Sequence, residues 1–376
     1  MHIVIAPNSF KNSLDATSCA KAIEEGLLQS KLDCTCTCFP VGDGGDGTAS
    51  LLIEKWNGNY INVIVHDPLK KIINASFGII DETKTAVIEM ADASGIKLLK
   101  KEELDPLHAT SVGTGELILD ALNKKVEKVI SCIGGSATVD GGTGILQALG
   151  FKFLDSDNKE LKTLPQELVN LSKIDITNTD KRIFNTEIII LCDVNNYLLG
   201  ADGAAKIFGP QKGATEDDVQ KLESALEQFR NVTLQQTDVD MNLIKHGGAA
   251  GGIAAGLYVW LNAKLVNGIE YFLDATNFEE VLKNADLVIT GEGSIDAQTL
   301  QGKAPYGVAK RAKEKNIPVI ALAGKIPLQA DEFNNFFDTM ISINNDTNVE
   351  EAILHTKENL IRTAKTVGNL LASQKL

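Results

Sequence analysis

VISCIGGSATVDGGTG (129–144) is the segment from which the rest of the chain can be read. It opens on a continuous, mostly apolar run and closes on five glycines interleaved with Ser136, Thr138, Asp140 and Thr143. A continuous Val/Ile-rich run is the pattern of a parallel strand buried on both faces. Ligands of open α/β sheets collect beyond the carboxyl ends of such strands. Three further segments repeat the theme: CFPVGDGGDGT (38–48), IIILCDVNN (188–196, where Asn-Asn replaces the glycines) and LVITGEGSID (287–296). Glycine lets the backbone approach an anion, and a neighbouring carboxylate can hold a hydrated Mg²⁺. Four such turns point to an active site for phosphoryl chemistry.

Outward from these turns, strands and helices alternate, which is the α/β signature. Strands are expected at 2–7, 34–41, 126–133, 187–192, 286–290 and 317–323, with an edge strand at 340–343. Helices are expected at about 15–32, from Thr48 to Trp56, from Gly115 to about Lys124, after Gly142, and at 349–372. Between Tyr60 and Met90 the rhythm changes to three strand-like runs with short turns, an antiparallel meander that forms a subdomain or extends a sheet. Residues 201–284 read as mostly helical and glycine-punctuated, with Gly-Gly-Ala-Ala-Gly-Gly at 247–252.

At 376 residues the chain is too long for one ordinary core, so two domains are expected. The composition, 44% hydrophobic and 23% charged, is that of a soluble globular protein, and no apolar stretch reaches the ~18 residues of a membrane span. Met1 leads directly into a strand without a charged leader, so the expected location is the cytoplasm. The net charge of −14 argues against nucleic acid and membrane partners. An anionic small molecule is still admissible. Remote charge is screened beyond about 8 Å, whereas one cation 4 Å from a phosphate contributes about 4 kcal/mol at an effective dielectric of 20.

Of six cysteines, Cys34, Cys36 and Cys38 alternate with threonine and share one strand face. With no histidine or fourth cysteine nearby, they read as small core residues rather than metal ligands. Cys132 and Cys192 lie in apolar runs and read the same way.

The chain lacks both G-x-x-x-x-G-K-[ST] and G-x-G-x-x-G, which disfavours P-loop and simple dinucleotide enzymes. Asp43 and Asp46, three apart where a turn becomes a helix, suit Mg²⁺; they equally suit an acidic first turn satisfying free N–H groups. Gly134, Gly135, Ser136 and Thr138 suit a phosphate or carboxylate cradle. Glu292 and Asp296, followed by Lys303, suit a metal, a base and a phosphate clamp, or a solvated loop. Thr215 caps an acidic helix start, leaving Lys212 as a phosphate contact; Lys11 and Lys206 are similar candidates. His246 reads as structural or surface, and the other histidines carry no triad context.

Taken together, these segments resemble the type-1 glycerate kinase family nearly end to end. The resemblance rests on Ala6-Pro-Asn-Ser-Phe-Lys11, Val41 to Thr48, Met90-Ala-Asp-Ala-Ser-Gly95, Thr110 to Leu117, Ile133 to Thr138, Phe208 to Gly213, Gly248 to Gly252 and Ile289 to Gly293. It implies ATP-dependent phosphorylation of D-glycerate to 2-phosphoglycerate or 3-phosphoglycerate. It also implies two α/β domains, one a flavodoxin- or Rossmann-like mostly parallel sheet, the other a smaller mixed α/β domain, with the active site in the cleft between them. The chain departs from the family pattern at Asn8 (commonly Asp), Asp46 (commonly Glu), Val139 (commonly Asn) and in Asp193-Val-Asn-Asn-Tyr-Leu198.

The expected division is 1–60 with 121–200 and 285–376 for the first domain, and 61–120 with 201–284 for the second. The expected ligands are MgATP and D-glycerate, with Asp43, Asp46 and Glu292 on the metal or its waters. Asp193 or Asp296 is the candidate base and Lys11 a catalytic charge stabiliser. Ser9, Gly134, Gly135, Ser136, Thr138, Lys206, Lys212 and Lys303 are expected to contact substrate or nucleotide. A homodimer is left open. The alternative is a non-catalytic sensor of sugar acids or nucleotides, with Asn8 as the lesion; an oxidoreductase is remote without the dinucleotide fingerprint.

Overall fold

The structure is a computed structural model that describes residues 1–296, 299–327, 331–344 and 348–373. Its strands, in chain order, are β1 (His2–Pro7), β2 (Thr35–Cys38), β3 (Asn59–His66), β4 (Ile72–Ile80) and β5 (Thr85–Glu89). Next come β6 (Lys128–Cys132), β7 (Lys152–Leu154), β8 (Lys173–Asp175) and β9 (Glu187–Cys192). The last are β10 (Lys264–Asn267), β11 (Leu287–Ser294), β12 (Val319–Lys325) and β13 (Thr339–Ser342). Two compact units emerge, one of residues 1–43 with 269–376 and one of residues 44–268.

The first unit is built on a parallel five-stranded sheet in the order β13-β12-β11-β1-β2. The chain builds β2 on one side of β1 and all later strands on the other. This is the flavodoxin-like order, whose direction reverses between β1 and β11. Helix Ala16–Leu28 starts at Asp15, whose carboxylate accepts from the Ser18 N–H at 2.8 Å, and packs on helix Thr356–Ser373. Ile3, Ile5, Ile23, Leu27, Leu360 and Ala364 form part of its core. Cys34, Cys36 and Cys38 pack against that core. Burial pushes the Cys36 and Cys38 thiols up to about 12, in keeping with core residues.

The second unit carries a six-stranded mixed sheet, β10-β9-β6-β5-β4-β3. β10, β9, β6 and β5 run parallel, while β5-β4-β3 is the antiparallel meander, joined to the sheet through β5. Helices Thr48–Lys55 and Val112–Asn123 pack on these strands.

Several expectations are corrected. β6 and β9, within the 121–200 segment expected in the first domain, belong to the mixed sheet of the second unit. That unit is also the longer one rather than the smaller. A buried parallel strand looks the same whichever sheet it joins, so the apolar pattern cannot choose its partner. β11 continues through Gly291-Glu-Gly-Ser294, expected as a turn, because Gly291, Glu292 and Ser294 pair with Leu322, Ala323 and Lys325 of β12. The closing helix is two helices, Val349–Leu354 and Thr356–Ser373. Among the described residues no helix is long and apolar enough to cross a membrane.

Candidate functional site

In the first unit, the carboxyl ends of β1 and β11 flank the reversal point, where an open α/β sheet binds ligands. The Asn8 N–H donates to Gly291 O at 2.8 Å, tying the two strand ends together. Asn8 is buried, and its Oδ1 accepts from the Ser9 N–H at 2.7 Å. That bond orients the amide so that Nδ2 donates to Asp43 Oδ2 at 3.1 Å. Asp43 also accepts from the Ala304 N–H at 3.3 Å, at the start of helix Ala304–Glu314. Glu292 is buried and accepts from Thr299 Oγ1 at 2.7 Å. Burial pushes its pKa up to about 7; the Asp43 charge adds to the rise, while Lys303, the Thr299 bond and Lys11 work against it. Asn8, Ser9, Lys11, Asp43, Glu292 and Lys303 are therefore neighbours in one unit. Asp296 sits in the same segment, its N–H donating to Thr299 Oγ1 at 3.1 Å.

In the second unit the glycine-rich turn after β6 is more committed than its sequence suggests. The Gly134 N–H donates to Gly44 O at 3.0 Å, and a Cβ on Gly134 would lie 2.4 Å from Gly45 Cα. Gly134 is thus required for close backbone packing, and its N–H is already used rather than held for an anion. The Ala137 N–H donates to Ser94 O at 2.9 Å. The 247–252 cluster packs on the same turn: Gly251, at φ +72°, accepts from the Gly141 N–H, and a Cβ there would meet Thr138 O at 2.1 Å.

What the turn offers a ligand is its side chains. Lys212, only 2% exposed, donates from Nζ to Ser136 Oγ and Thr138 O, both at 2.7 Å. Burial lowers its pKa to about 7, against the opposing pull of Asp140 and Asp193. Thr138 Oγ1 is buried without a hydrogen-bond partner among the described residues, an uncommon condition for a hydroxyl. Asp193, half-buried after β9, thus acts on Lys212 by its charge. Gly135 (φ +71°) lies beside Asp46, 3.4 Å from its Cβ as judged from an added methyl.

Two expected residues are engaged otherwise. Asp46 accepts from Lys97 Nζ at 2.9 Å, and Lys97 also bonds Asp92 at 2.9 Å. The first turn of helix Thr48–Lys55 is served by Glu89 instead, whose Oε2 accepts from the N–H groups of Gly47 and Ala49, both at 3.0 Å. Lys206 is exposed and pairs with Glu223 at 3.6 Å. His246 is structural, its Nδ1 2.7 Å from Val194 O.

Sequence reasoning passed over Asn8 as the partner of Asp43, Thr299, Lys97, Glu89 and Asp140. Asp140 is fully buried and accepts from Ser111 Oγ and the N–H groups of Ser111, Gly142 and Gly144. A lone carboxylate among glycines after a strand was the signal available for it.

Among the described residues no group of three or more His, Cys, Asp or Glu side chains could hold a metal ion by itself. Mg²⁺ does not need one, since one or two carboxylates suffice when phosphates and waters complete its shell. Asp43 and Glu292 fit that requirement: both are buried oxygen donors, and the mutual repulsion seen at Glu292 is what a cation relieves.

The comparisons with known proteins agree along the whole length. The model of the glycerate kinase family matches residues 3–372. The chain is 42% identical to a glycerate kinase of Bacillus subtilis (strain 168), covering 98% of this chain and 97% of that one. It is 42% identical to a glycerate 2-kinase of Escherichia coli (strain K12), covering 99% and 98%. A crystal structure from Salmonella typhimurium LT2, assigned there as glycerate kinase 2, is similar with a TM-score of 0.82 at 42% identity, covering 100% of both chains. By sequence and by structure, this chain belongs to the glycerate kinase family.

Proposed function

We propose that the protein transfers the terminal phosphoryl group of ATP to the 2-hydroxyl of D-glycerate, giving 2-phosphoglycerate and ADP. The observation that carries this reading is Lys212, a buried amine donating only to neutral oxygens in its described bonds, beside the unpartnered Thr138 hydroxyl. Such a cation supports an anionic substrate group far better than the same charge in water. The relatives, named as glycerate kinases, support glycerate as the acceptor, and the Escherichia coli glycerate 2-kinase supports the position.

Phosphoryl transfer demands positioning and charge neutralisation more than covalent chemistry. Ser136, Thr138 and Lys212 hold an anionic group of the substrates. Lys11 and Lys303, whose charges already act on Glu292, stabilise phosphate oxygens. Ser9 is proposed as a further contact. Asp43 and Glu292 would hold Mg²⁺, which when bound neutralises charge on the phosphates. Asp193 takes the proton from the attacking hydroxyl as that oxygen bonds to phosphorus and the bond to ADP breaks; its closeness to Lys212 favours it over Asp296.

The experiment is a coupled assay for ADP release with D-glycerate, ATP and Mg²⁺, followed by NMR of the product to locate the phosphate. ADP release with phosphorus on the 2-oxygen is the expected result. No release at millimolar substrates overturns the kinase, and phosphorus on the 3-oxygen overturns the position.

A further inference from the structure

Within the second unit, a cavity of about 160 Å³ opens between helix Thr48–Lys55 and the face of β3, β4 and β5. Its body is apolar, with Ala49, Ile53, Phe77 and Val87 around it and the Tyr60 ring at one side. A cavity of about 150 Å³ lined by such side chains takes up a single aromatic ring. Lys97, paired with both Asp46 and Asp92, stands with them at its polar end.

Glu89 also lines this cavity, and its position is unusual. The residue is 5% exposed, and Oε2 is committed to the Gly47 and Ala49 N–H groups. Oε1 is buried with no hydrogen-bond partner among the described residues. A buried carboxyl oxygen left unpartnered costs about 1–3 kcal/mol, more if charged, so it marks a place where a ligand group completes the bonding. The glycine-rich turn runs close to this edge: a Cβ added at Gly135 would lie 3.4 Å from Asp46 Cβ, and the next residue, Ser136, accepts from Lys212.

We propose that this cavity holds the purine base of the phosphoryl donor, with Glu89 Oε1 bonded to the polar edge of the base and the phosphates running toward Ser136 and Lys212. A flat heterocycle matches the volume and the apolar walls, and its edge presents the hydrogen-bonding atoms that Oε1 lacks. This assignment rests on the proposed kinase activity for the donor's identity, but not for the presence of a base site.

The test separates base from phosphate. Binding of adenosine and of inorganic tripolyphosphate is measured by calorimetry or saturation-transfer NMR on the full chain, without turnover. Ser76→Phe fills the cavity from its half-buried wall on β4; Glu89→Gln keeps an oxygen for the helix and changes only the free position. Adenosine is expected to bind the natural protein and to lose at least tenfold in affinity in both variants. Tripolyphosphate binding and the KM for glycerate stay within twofold. No adenosine binding to the natural protein, or equal losses for adenosine and tripolyphosphate, overturns the base site, even if the kinase assay succeeds. Adenosine binding that is abolished by Ser76→Phe in a protein without kinase activity upholds the base site and removes the kinase.

Discussion

Replacing Lys212 by methionine isolates what a buried cation contributes. Nζ lies 2.7 Å from Ser136 Oγ and from Thr138 O. A phosphate group received at the same place has its charge centred about 4 Å from Nζ, where the attraction is about 4 kcal/mol at an effective dielectric of 20. At 1.36 kcal/mol per decade, Lys212→Met should lower kcat/KM by about a thousandfold. Stability should respond quite differently. Burial sets the folded pKa at about 7, below the ordinary 10.5, so between those values the unfolded chain binds the extra proton. The natural protein therefore gains stability as pH rises from about 7 toward 10.5, by at most about 1.4 kcal/mol per pH unit. The variant lacks that gain. Its kcat/KM also lacks the alkaline fall above about pH 7 that a needed ammonium imposes on the free enzyme. The assay is kcat/KM for ATP from pH 6 to 9, with melting temperatures over the same range. A folded variant within tenfold of the natural kcat/KM, still showing the alkaline fall, would refute the role given to Lys212.

Asn8→Asp removes the donor to Asp43 and sets two carboxylates together, so it should cost about 1.5–3 kcal/mol; calorimetry with and without Mg²⁺ should show the ion raising the melting temperature of the variant more than that of the natural protein. An equal response would count against Asp43 as a Mg²⁺ ligand. Gly26→Ala puts a Cβ 2.3 Å from Ile361 O at the helix pair of the first unit, and should cost about 1–3 kcal/mol in urea unfolding. Asp193→Asn should reduce kcat by about 10²–10⁴ with little change in melting temperature, whereas Asp296→Asn should fall short of tenfold; the reverse order would move the base to Asp296.

Much of the architecture was legible along the chain. The strand expected at 187–192 has its observed bounds, and of the two readings open for the meander of 60–90, a subdomain or a sheet extension, β5 makes it the second. Thr215 was read as a helix cap and proves to be one, with Asp218 completing the capping box. These features are local: a cap or an apolar run is set by residues a few positions apart. The candidate site was legible only in outline. Asp43, Glu292, Ser136 and Lys212 stand out in the sequence as residues to watch, whereas nothing in it shows that Gly134 serves backbone packing and that Asp46 pairs with a lysine. The pattern of a glycine turn is the same for an anion cradle and for two backbones in contact.

The order of most strands and helices, though not β7, β8 and β10, was determined by the amino-acid sequence through short-range periodicity and turn chemistry, as were the resemblance to the family and the main chemical groups. Tertiary structure alone decided that β6 and β9 join β5 and β10, that the Asn8 amide faces Asp43, that Glu89 closes a helix 40 residues away while one oxygen stays unpartnered, and that Lys212 is buried. Strand partners, burial and the sharing of a donor are fixed by segments distant in the chain, and their energies depend on surroundings that no local pattern encodes.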